Sequence, residues 1–324
     1  MIRIATRRSK MALAQTESVC MQLRSHNPVL EIHLSELNAH GDKDEINRLD
    51  RHGGKGGAFV SEIREELLLG NTECAMHSLK DVPGNQEMPG LIFAAFLMRD
   101  DPTDALVLRS GLTKIDLERN EGDGIRIGTN SVRRAAFIRH LYRKVETIHF
   151  RGAVDTRIRK MDEGIPQKLP DGSETSPVDA LLLSTAGLIR LGLEDRISHK
   201  FSTHDIIPAV GQGIVVVECV DKNWRIREML SVIDNAESRT LADAEREVLW
   251  VLNGHCNSPI AAHATIEGDT MTLRCAVMSL DGRQFLQYKA EGAAQSPREL
   301  GREAGLELIH LGAKRLIDAS AIGI

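Results

Sequence analysis

Three features of this sequence are suited to chemistry: a carboxylate just past a strand, a cysteine just past a helix, and a dense run of arginines. Asp81 lies in His77-Ser78-Leu79-Lys80-Asp81-Val82-Pro83, where an apolar strand meets a turn. In open α/β sheets the ligand crevice lies at the carboxyl ends of the strands. A carboxylate there can steady a developing cation or exchange protons, with His77 and Lys80 close enough in sequence to perturb it. The plainer alternative is that Asp81 only caps the turn before Pro83. Cys256 lies in Asn253-Gly254-His255-Cys256-Asn257-Ser258-Pro259. A thiolate near an imidazolium is a good nucleophile. The alternative, a small buried thiol, suits Cys20, Cys219 and Cys275 better. A zinc site from His255, Cys256 and His263 lacks a second cysteine pair.

Residues 126–160 carry ten basic side chains against two acidic ones, a local balance of +8 in a chain whose formal charge is −5. Two strand-to-helix junctions fall inside this stretch, Gly128-Thr129-Asn130-Ser131 and Arg151-Gly152-Ala153. Fresh amide donors at a helix start suit anions, and arginine forks grip carboxylate or phosphate with two bonds. A ligand with several negative groups is implied; a solvated basic face is the competing reading. The run His52-Gly53-Gly54-Lys55-Gly56-Gly57 resembles a phosphate loop only superficially. A Walker sequence needs Ser or Thr after the lysine, and Gly56 stands there. Lys55 remains a possible anion contact in a flexible loop.

These groups need elements to hold them. Short apolar runs alternate with helical patterns through the first two-thirds. Strands are expected near 2–5, 30–34, 74–79, 105–108, 125–129, 146–150 and 179–184. Helices are expected after Ser9 and over about 58–69, 132–143, 154–163 and 186–195. This alternation implies α/β domains with mainly parallel sheets. The polar, glycine-rich stretch 39–57 is too long for a tight connection, and 165–177 reads as a surface loop without chemistry. The last hundred residues change character. A helix begins at Ser238 or Thr240 and ends at Asn253-Gly254, strand 271–277 leads to an Asp281-Gly282 turn, and Ser296-Pro297-Arg298-Glu299 reads as a capping box. Its helix turns Leu300, Ala304, Leu308 and Leu311 inward.

A chain of 324 residues exceeds one ordinary core, so two or three domains are expected. Aromatics at 3% leave no stacking platform for single strands, and the negative net charge gives no global pull toward nucleic acid or an anionic membrane. The first residues lack a signal-peptide core, and no apolar run approaches the ~20 residues of a membrane span. Five cysteines with no Cys-x-x-Cys pair suggest neither a disulfide framework nor a zinc ribbon, and favour a reducing cytoplasm.

Taken in order, several segments resemble hydroxymethylbilane synthase (porphobilinogen deaminase). They are Ile4-Ala5-Thr6-Arg7 with Ser9, Gly41-Asp42, Gly53-Gly54-Lys55-Gly56, His77 to Pro83, and Asp100-Asp101-Pro102. Gly128-Thr129 with Ser131 and Arg133-Arg134 follows, then Arg151-Gly152, Ala186-Gly187-Leu188 with Arg190, Pro208 to Gly213, and Cys256 with Pro259-Ile260. The resemblance implies two α/β lobes like those of periplasmic binding proteins plus a small C-terminal α+β domain. The implied division is 1–101 with 205–221, 102–204, and 222–324. It implies a transferase that joins four porphobilinogen molecules head to tail, releasing ammonia, to give hydroxymethylbilane. The implied cofactor is dipyrromethane, held by a thioether to Cys256, which would react once, with Asp81 serving every cycle. Lys80, Asp81, Thr129, Ser131, Arg133, Arg134 and Lys55 are the implied cofactor contacts. Arg7, Ser9, Gln15, Arg151, Gly152, Arg157 and Arg190 are the implied substrate contacts. A cytoplasmic monomer is expected, with no metal, nucleic acid or membrane partner.

The sequence departs from the family pattern at Lys10, Asn130, Ala153 and around Cys256. Rival readings are a two-lobed solute receptor or effector-sensing module, which leaves Cys256 and the C-terminal domain unexplained, and a thiol hydrolase pairing Cys256 with His255. Neighbouring side chains rarely face each other, which counts against that dyad.

Overall fold

The computed structural model describes residues 1–37, 60–86, 88–169, 171–254 and 258–322. The chain opens with β1 (Ile2–Arg7), α1 (Lys10–His26), β2 (Ile32–Leu37), α2 (Ser61–Leu68), β3 (Cys74–Ser78) and β4 (Leu91–Phe96). It continues with β5 (Asp104–Leu108), α3 (Lys114–Glu118), β6 (Arg126–Thr129), α4 (Val132–Leu141), β7 (Glu146–His149), α5 (Val154–Asp162), β8 (Ala180–Ser184), α6 (Thr185–Arg190) and β9 (His199–Lys200). Then come β10 (Val215–Val220), α7 (Trp224–Ser231), α8 (Ala236–Leu252), β11 (Ile260–Glu267), β12 (Thr270–Met278), β13 (Phe285–Ala293), α9 (Pro297–His310) and α10 (Ala313–Ile322).

The strands form two five-stranded sheets, ordered β2-β1-β3-β10-β4 and β7-β6-β8-β5-β9, and a three-stranded sheet β11-β12-β13. This is the expected class, two α/β lobes and a small C-terminal α+β unit. The sheets are mixed rather than mainly parallel. β10 runs antiparallel to β3 and β4, and β5 runs antiparallel to β8 and β9. The cause is topological: the chain leaves the first sheet after β4 and returns to it only at β10, entering from the opposite end.

The two crossings lie side by side and bond to each other. Arg99 Nε donates to Gln212 O at 2.9 Å, and Gln212 Nε2 donates to Pro102 O at 2.7 Å. A buried carboxylate ties this joint to the C-terminal unit. Glu245 on α8 is fully enclosed and accepts from Arg99 Nη1 (2.6 Å), Gly211 N (2.7 Å) and Ala264 N (2.8 Å). Burial would raise its pKa, but Arg99 and His263 overcome that and bring it to about 2.

Local chemistry explains most element ends. Ser9 Oγ accepts from Ala12 N to start α1, and Asn253 closes α8 in the left-handed region, as the sequence suggests. The α8 start differs: Asn235, not Ser238 or Thr240, is the cap, its Oδ1 accepting from Ser238 N at 2.8 Å. The capping box at Ser296 does not form, because its backbone (φ −118°, ψ 52°) makes no side-chain cap bond; Pro297 alone sets the start of α9. Leu311 ends α9 as its C-cap and is 48% exposed rather than facing inward. The Asp281-Gly282 turn joins β12 to β13 and docks on α4, where Arg139 Nη1 donates to Leu280 O at 2.7 Å. No helix among the described residues is long and apolar enough to cross a membrane.

Candidate active site

Asp81 closes a single 3₁₀ turn, Leu79–Asp81, that breaks off the end of β3. The turn is forced by a close approach from the return crossing. Gly211 adopts φ +70°, and a Cβ there would stand 2.6 Å from Leu79 Cγ, so only glycine lets the crossing press on this turn. Leu79 is thereby buried while Lys80 and Asp81 are left exposed toward the space between the lobes.

That space is a cleft of about 490 Å³, within the usual size of small-molecule sites. Among the described residues, eight basic side chains line it against two carboxylates, Asp81 and Asp155. The first lobe contributes Arg7 at the end of β1, Ser9 and Lys10 at the start of α1, Gln15, Ser78, Lys80 and Asp81. The second contributes Asn130, Arg134, Arg151, Gly152, Arg157 and Arg190. Lys10 reaches across the cleft to Asp155, 2.6 Å away.

The expected site residues therefore separate into groups. Arg7, Ser9, Gln15, Lys80, Asp81, Arg134, Arg151, Gly152, Arg157 and Arg190 meet on one cleft. Thr129, Ser131 and Arg133 stand behind its wall. Thr129 Oγ1 accepts from Ser131 N (3.2 Å), and Ser131 Oγ accepts from Arg134 N (3.4 Å), so these hydroxyls cap α4 internally. Arg133 is 4% exposed, its guanidinium bonded to Asp104 Oδ2 (2.7 Å) and Ile207 O (2.7 Å). Arg134 shares the same carboxylate through Nε (2.8 Å) and bonds Gln212 Oε1 (3.2 Å), yet still reaches the cleft. Lys55 and Cys256, with the whole glycine-rich stretch around Lys55, fall outside the described residues.

The second junction differs from the first. Ala153 leaves α5 without a side-chain cap, and Gly152 at φ +119° turns the chain into it, so backbone as well as side chains faces the cleft. Behind it, Gln167 is buried and its Oε1 accepts from Arg151 N at 3.1 Å. The 165–177 segment thus holds the arginine wall in place, contrary to its reading as a loop without chemistry. Nothing in its Pro- and Gly-rich composition signals that contact. Lys10 and Asn130 were legible only as departures from a family pattern, and here both line the cleft.

The electrostatics point to a polyanionic ligand. Arg157 Nε is buried and finds no hydrogen-bond partner among the described residues. Burial, and then the Arg134 charge, push Arg157 down to about 10. Burial between the cleft walls, then Arg134, bring Lys80 down to about 8, although solvent still reaches its side chain. Among the described residues Arg157 has no compensating carboxylate, whereas Lys80 has the nearby Asp81 and Asp104 charges; a ligand carboxylate would supply the counter-charge Arg157 lacks.

Fold and site together define a two-lobed α/β protein with a cleft lined mostly by cations, and with a C-terminal α+β unit bolted to the joint. The family model described as "Porphobilinogen deaminase, dipyromethane cofactor binding domain" matches residues 2–228, and "Porphobilinogen deaminase, C-terminal domain" matches residues 240–310. The porphobilinogen deaminase of Xanthomonas oryzae pv. oryzae (strain PXO99A) is 38% identical over 320 residues, covering 98% of this chain and 99% of the relative. That of Syntrophobacter fumaroxidans is 36% identical over 318 residues, covering 98% and 97%. Among solved structures, the substrate binding domain of a putative molybdenum ABC transporter from Clostridium difficile superposes with a TM-score of 0.43 at 10% identity, over 73% of this chain and 93% of that one. The chain belongs to the porphobilinogen deaminase family.

Proposed function

We propose that this chain condenses four porphobilinogen molecules head to tail, with loss of one ammonia for each, and that water then cleaves the tetrapyrrole from the cofactor to release hydroxymethylbilane for tetrapyrrole (haem) synthesis. The observation that carries this is Asp81: one carboxylate, held on a turn by Leu79 and Gly211, facing a wall of arginines in a chain matched by both family domains. Dipyrromethane, attached through the Cys256 thiol, supplies when bound the free pyrrole carbon at which the product grows.

The chain's own residues do the rest. Asp81 accepts from pyrrole N–H groups and, as an anion, lowers the energy of the cation left when ammonia departs. Because that charge develops only in the transition state, the carboxylate acts on rate more than on affinity. Arg7, Arg134, Arg151, Arg157 and Arg190 hold the acetate and propionate arms, and Lys80 and Lys55 add single-point contacts. Gln15 donates Nε2 to Ser78 Oγ at 2.7 Å, fixing the strand end that leads to Asp81. Thr129, Ser131 and Arg133 act through Arg134, by capping α4 and by sharing Asp104 with it.

We assign residues 1–101 with 205–221 to the first lobe, 102–204 to the second and 222–324 to the C-terminal domain. Sheet membership supports this division for the strands, with β10 completing the first sheet, while α7 packs Ile226 and Leu230 into the first lobe's core. We also propose a cytoplasmic monomer. The four buried free thiols at Cys20, Cys74, Cys219 and Cys275 suit a reducing compartment, and light scattering tests the monomer.

Intact mass of the denatured protein tests the central reading. The expected result is a covalent adduct of two pyrrole units, mapped by peptide analysis to Cys256 and lost in Cys256→Ser. An unmodified mass from an active preparation would overturn the assignment.

A further inference from the structure

The segment that follows Asp81 does not stop at the cleft; it runs onto the C-terminal domain. Arg246 on α8 donates from Nη1 to Val82 O (3.2 Å) and from Nη2 to Pro83 O (2.9 Å). Gly84 lies flat against the next turn of the same helix: a Cβ there would stand 2.7 Å from Leu249 Cδ1. Asn85 Nδ2 then donates both to Asn253 Oδ1 (3.1 Å) and to Gly254 O (2.9 Å), at the left-handed cap where α8 ends. The opposite flank is gripped by the same helix, since Glu245 accepts from Gly211 N and Gly211 presses on Leu79. One helix thus touches the Asp81 turn before it and after it.

Arg246 is placed for this task, and among the described residues its hydrogen bonds go to these carbonyls rather than to a carboxylate. Its guanidinium lies 5.3 Å from the Phe93 ring centre and holds two backbone carbonyls, while burial and the Arg64 charge bring it down to about 10. A cation kept in such a setting fixes geometry through several short contacts. Asn85 completes the bracket at the point from which the chain proceeds to His255 and Cys256. Along the sequence, three residues separate Asp81 from Asn85 and one separates Gly254 from Cys256.

We propose that α8 is a fixed gauge between the Asp81 carboxylate and the residue that carries the cofactor, with Arg246 and Asn85 as positioning residues. This rests on the reading that the cofactor is attached at Cys256. The chemistry needs one pyrrole N–H to meet one carboxylate oxygen, and loss of near-attack geometry by about 1 Å can cost ~10²-fold in rate. The bracket sets that distance without touching substrate. Its loss leaves attachment and carboxylate binding in place and lowers turnover.

The test uses the holoenzyme and three variants. Asn85→Asp keeps size but turns an acceptor toward two acceptors. Arg246→Met keeps length without the donors, and Arg246→Lys can reach one carbonyl. The expected result is an unchanged two-pyrrole mass in all three and KM within about twofold of wild type. The kcat falls about tenfold or more in Asn85→Asp and Arg246→Met, and Arg246→Lys recovers part of it. Amide hydrogen exchange supplies a readout independent of activity. Peptides spanning 82–86 and 248–254 should exchange faster together in each disabling variant, because the bracket couples them. Because Asn85 is partly exposed, Asn85→Asp keeps the test decisive should Arg246→Met fold poorly. An adduct on Cys256 with wild-type kcat in both disabling variants, or faster exchange only in the substituted segment, would overturn the gauge alone. An adduct mapped to another residue in the wild type would overturn the attachment reading and the gauge with it.

Discussion

Replacing Asp104 by Asn should destabilise the protein by several kcal/mol while leaving the cleft's outline intact. Asp104 opens β5 with no exposed surface, and its two oxygens serve Arg133 (2.7 Å), Arg134 (2.8 Å) and Gln212 Nε2 (2.9 Å). Burial alone would raise its pKa; the Arg133 and Arg134 guanidiniums and Gln212 outweigh that and bring it to about 2. Against the ordinary aspartate value, that shift corresponds to about 2–3 kcal/mol of stabilisation at neutral pH. The amide removes the counter-charge and leaves two buried guanidiniums beside each other, a change that typically costs about 3–5 kcal/mol. At roughly 2–4 °C per kcal/mol, melting should fall by about 6–20 °C. The sign with pH is fixed: a depressed carboxylate stabilises above its unfolded pKa of about 3.9, and that contribution is lost as pH falls through about 2. Thermal and urea unfolding of wild type, Asp104→Asn, Arg133→Met and the double variant form the assay. The double variant should lose less than the sum of the singles, since removing one cation relieves the other. A change below about 1 kcal/mol in Asp104→Asn, or strict additivity, would refute the account of Asp104 as the counter-charge for both arginines.

Three further outcomes follow from the site. Asp81→Asn should lower kcat by about 10²–10³-fold with melting unchanged, because the side chain is exposed and acts on developing charge; wild-type turnover would remove it from the chemistry. Lys80, with a pKa near 8, should lose its charge as pH rises through that value. KM for porphobilinogen should therefore climb between about pH 7.5 and 9 in wild type and stay flat in Lys80→Gln; parallel profiles would exclude the lysine. Arg157→Leu should raise KM or lower cofactor content while the ligand-free protein melts no lower than wild type, since the cation has no protein partner among the described residues. A lower melting point with intact KM would make Arg157 structural.

Much of the architecture was legible because periodicity is local. The strands and helices that flank the cleft coincide with the expected runs to within a few residues, and the change of class in the last hundred residues is real. What failed was non-local. β4 follows Pro89-Gly90 as an unbroken apolar run, Leu91–Phe96, with no alternation to mark it, and its place beside β10 depends on a strand more than a hundred residues away. The mixed sheet direction has the same origin. The true capping box is at Thr113, whose N–H and side chain both meet Asp116 Oδ2 (2.8 and 2.7 Å), while the better-looking Ser296 sequence makes no cap bond. Pro297 already fixes the start of α9, so the serine is not needed there.

The arginine run shows most clearly how sequence can be right about chemistry and wrong about detail. Its local charge of +8 called for an anionic ligand, but much of it is engaged within the protein, four arginines by carboxylates and two by carbonyls. Arg126 pairs with Asp179 (3.0 Å), Arg133 and Arg134 share Asp104, Arg159 pairs with Glu163 (2.8 Å), and Arg139 and Arg143 bond carbonyls of the β12–β13 turn. Only Arg134, Arg151 and Arg157 of the run face the cleft, joined there by cations from distant segments: Arg7, Arg8, Lys10, Lys80 and Arg190. The acids that silence the others, Asp104 and Asp179, lie outside the run on strand ends the sequence could not pair with it. Density of charge therefore pointed to the cleft region, while the direction each side chain takes, not its burial, decides which cations line it: Arg133, Arg134 and Arg151 are all buried, and only the last two reach the cleft. Arg133 and Arg134, adjacent in sequence and equal in type, fall on opposite sides of that division. Both are buried and both bond Asp104, but Arg133 is sealed behind the wall while Arg134 also lines the cleft, where a carboxylate can reach it.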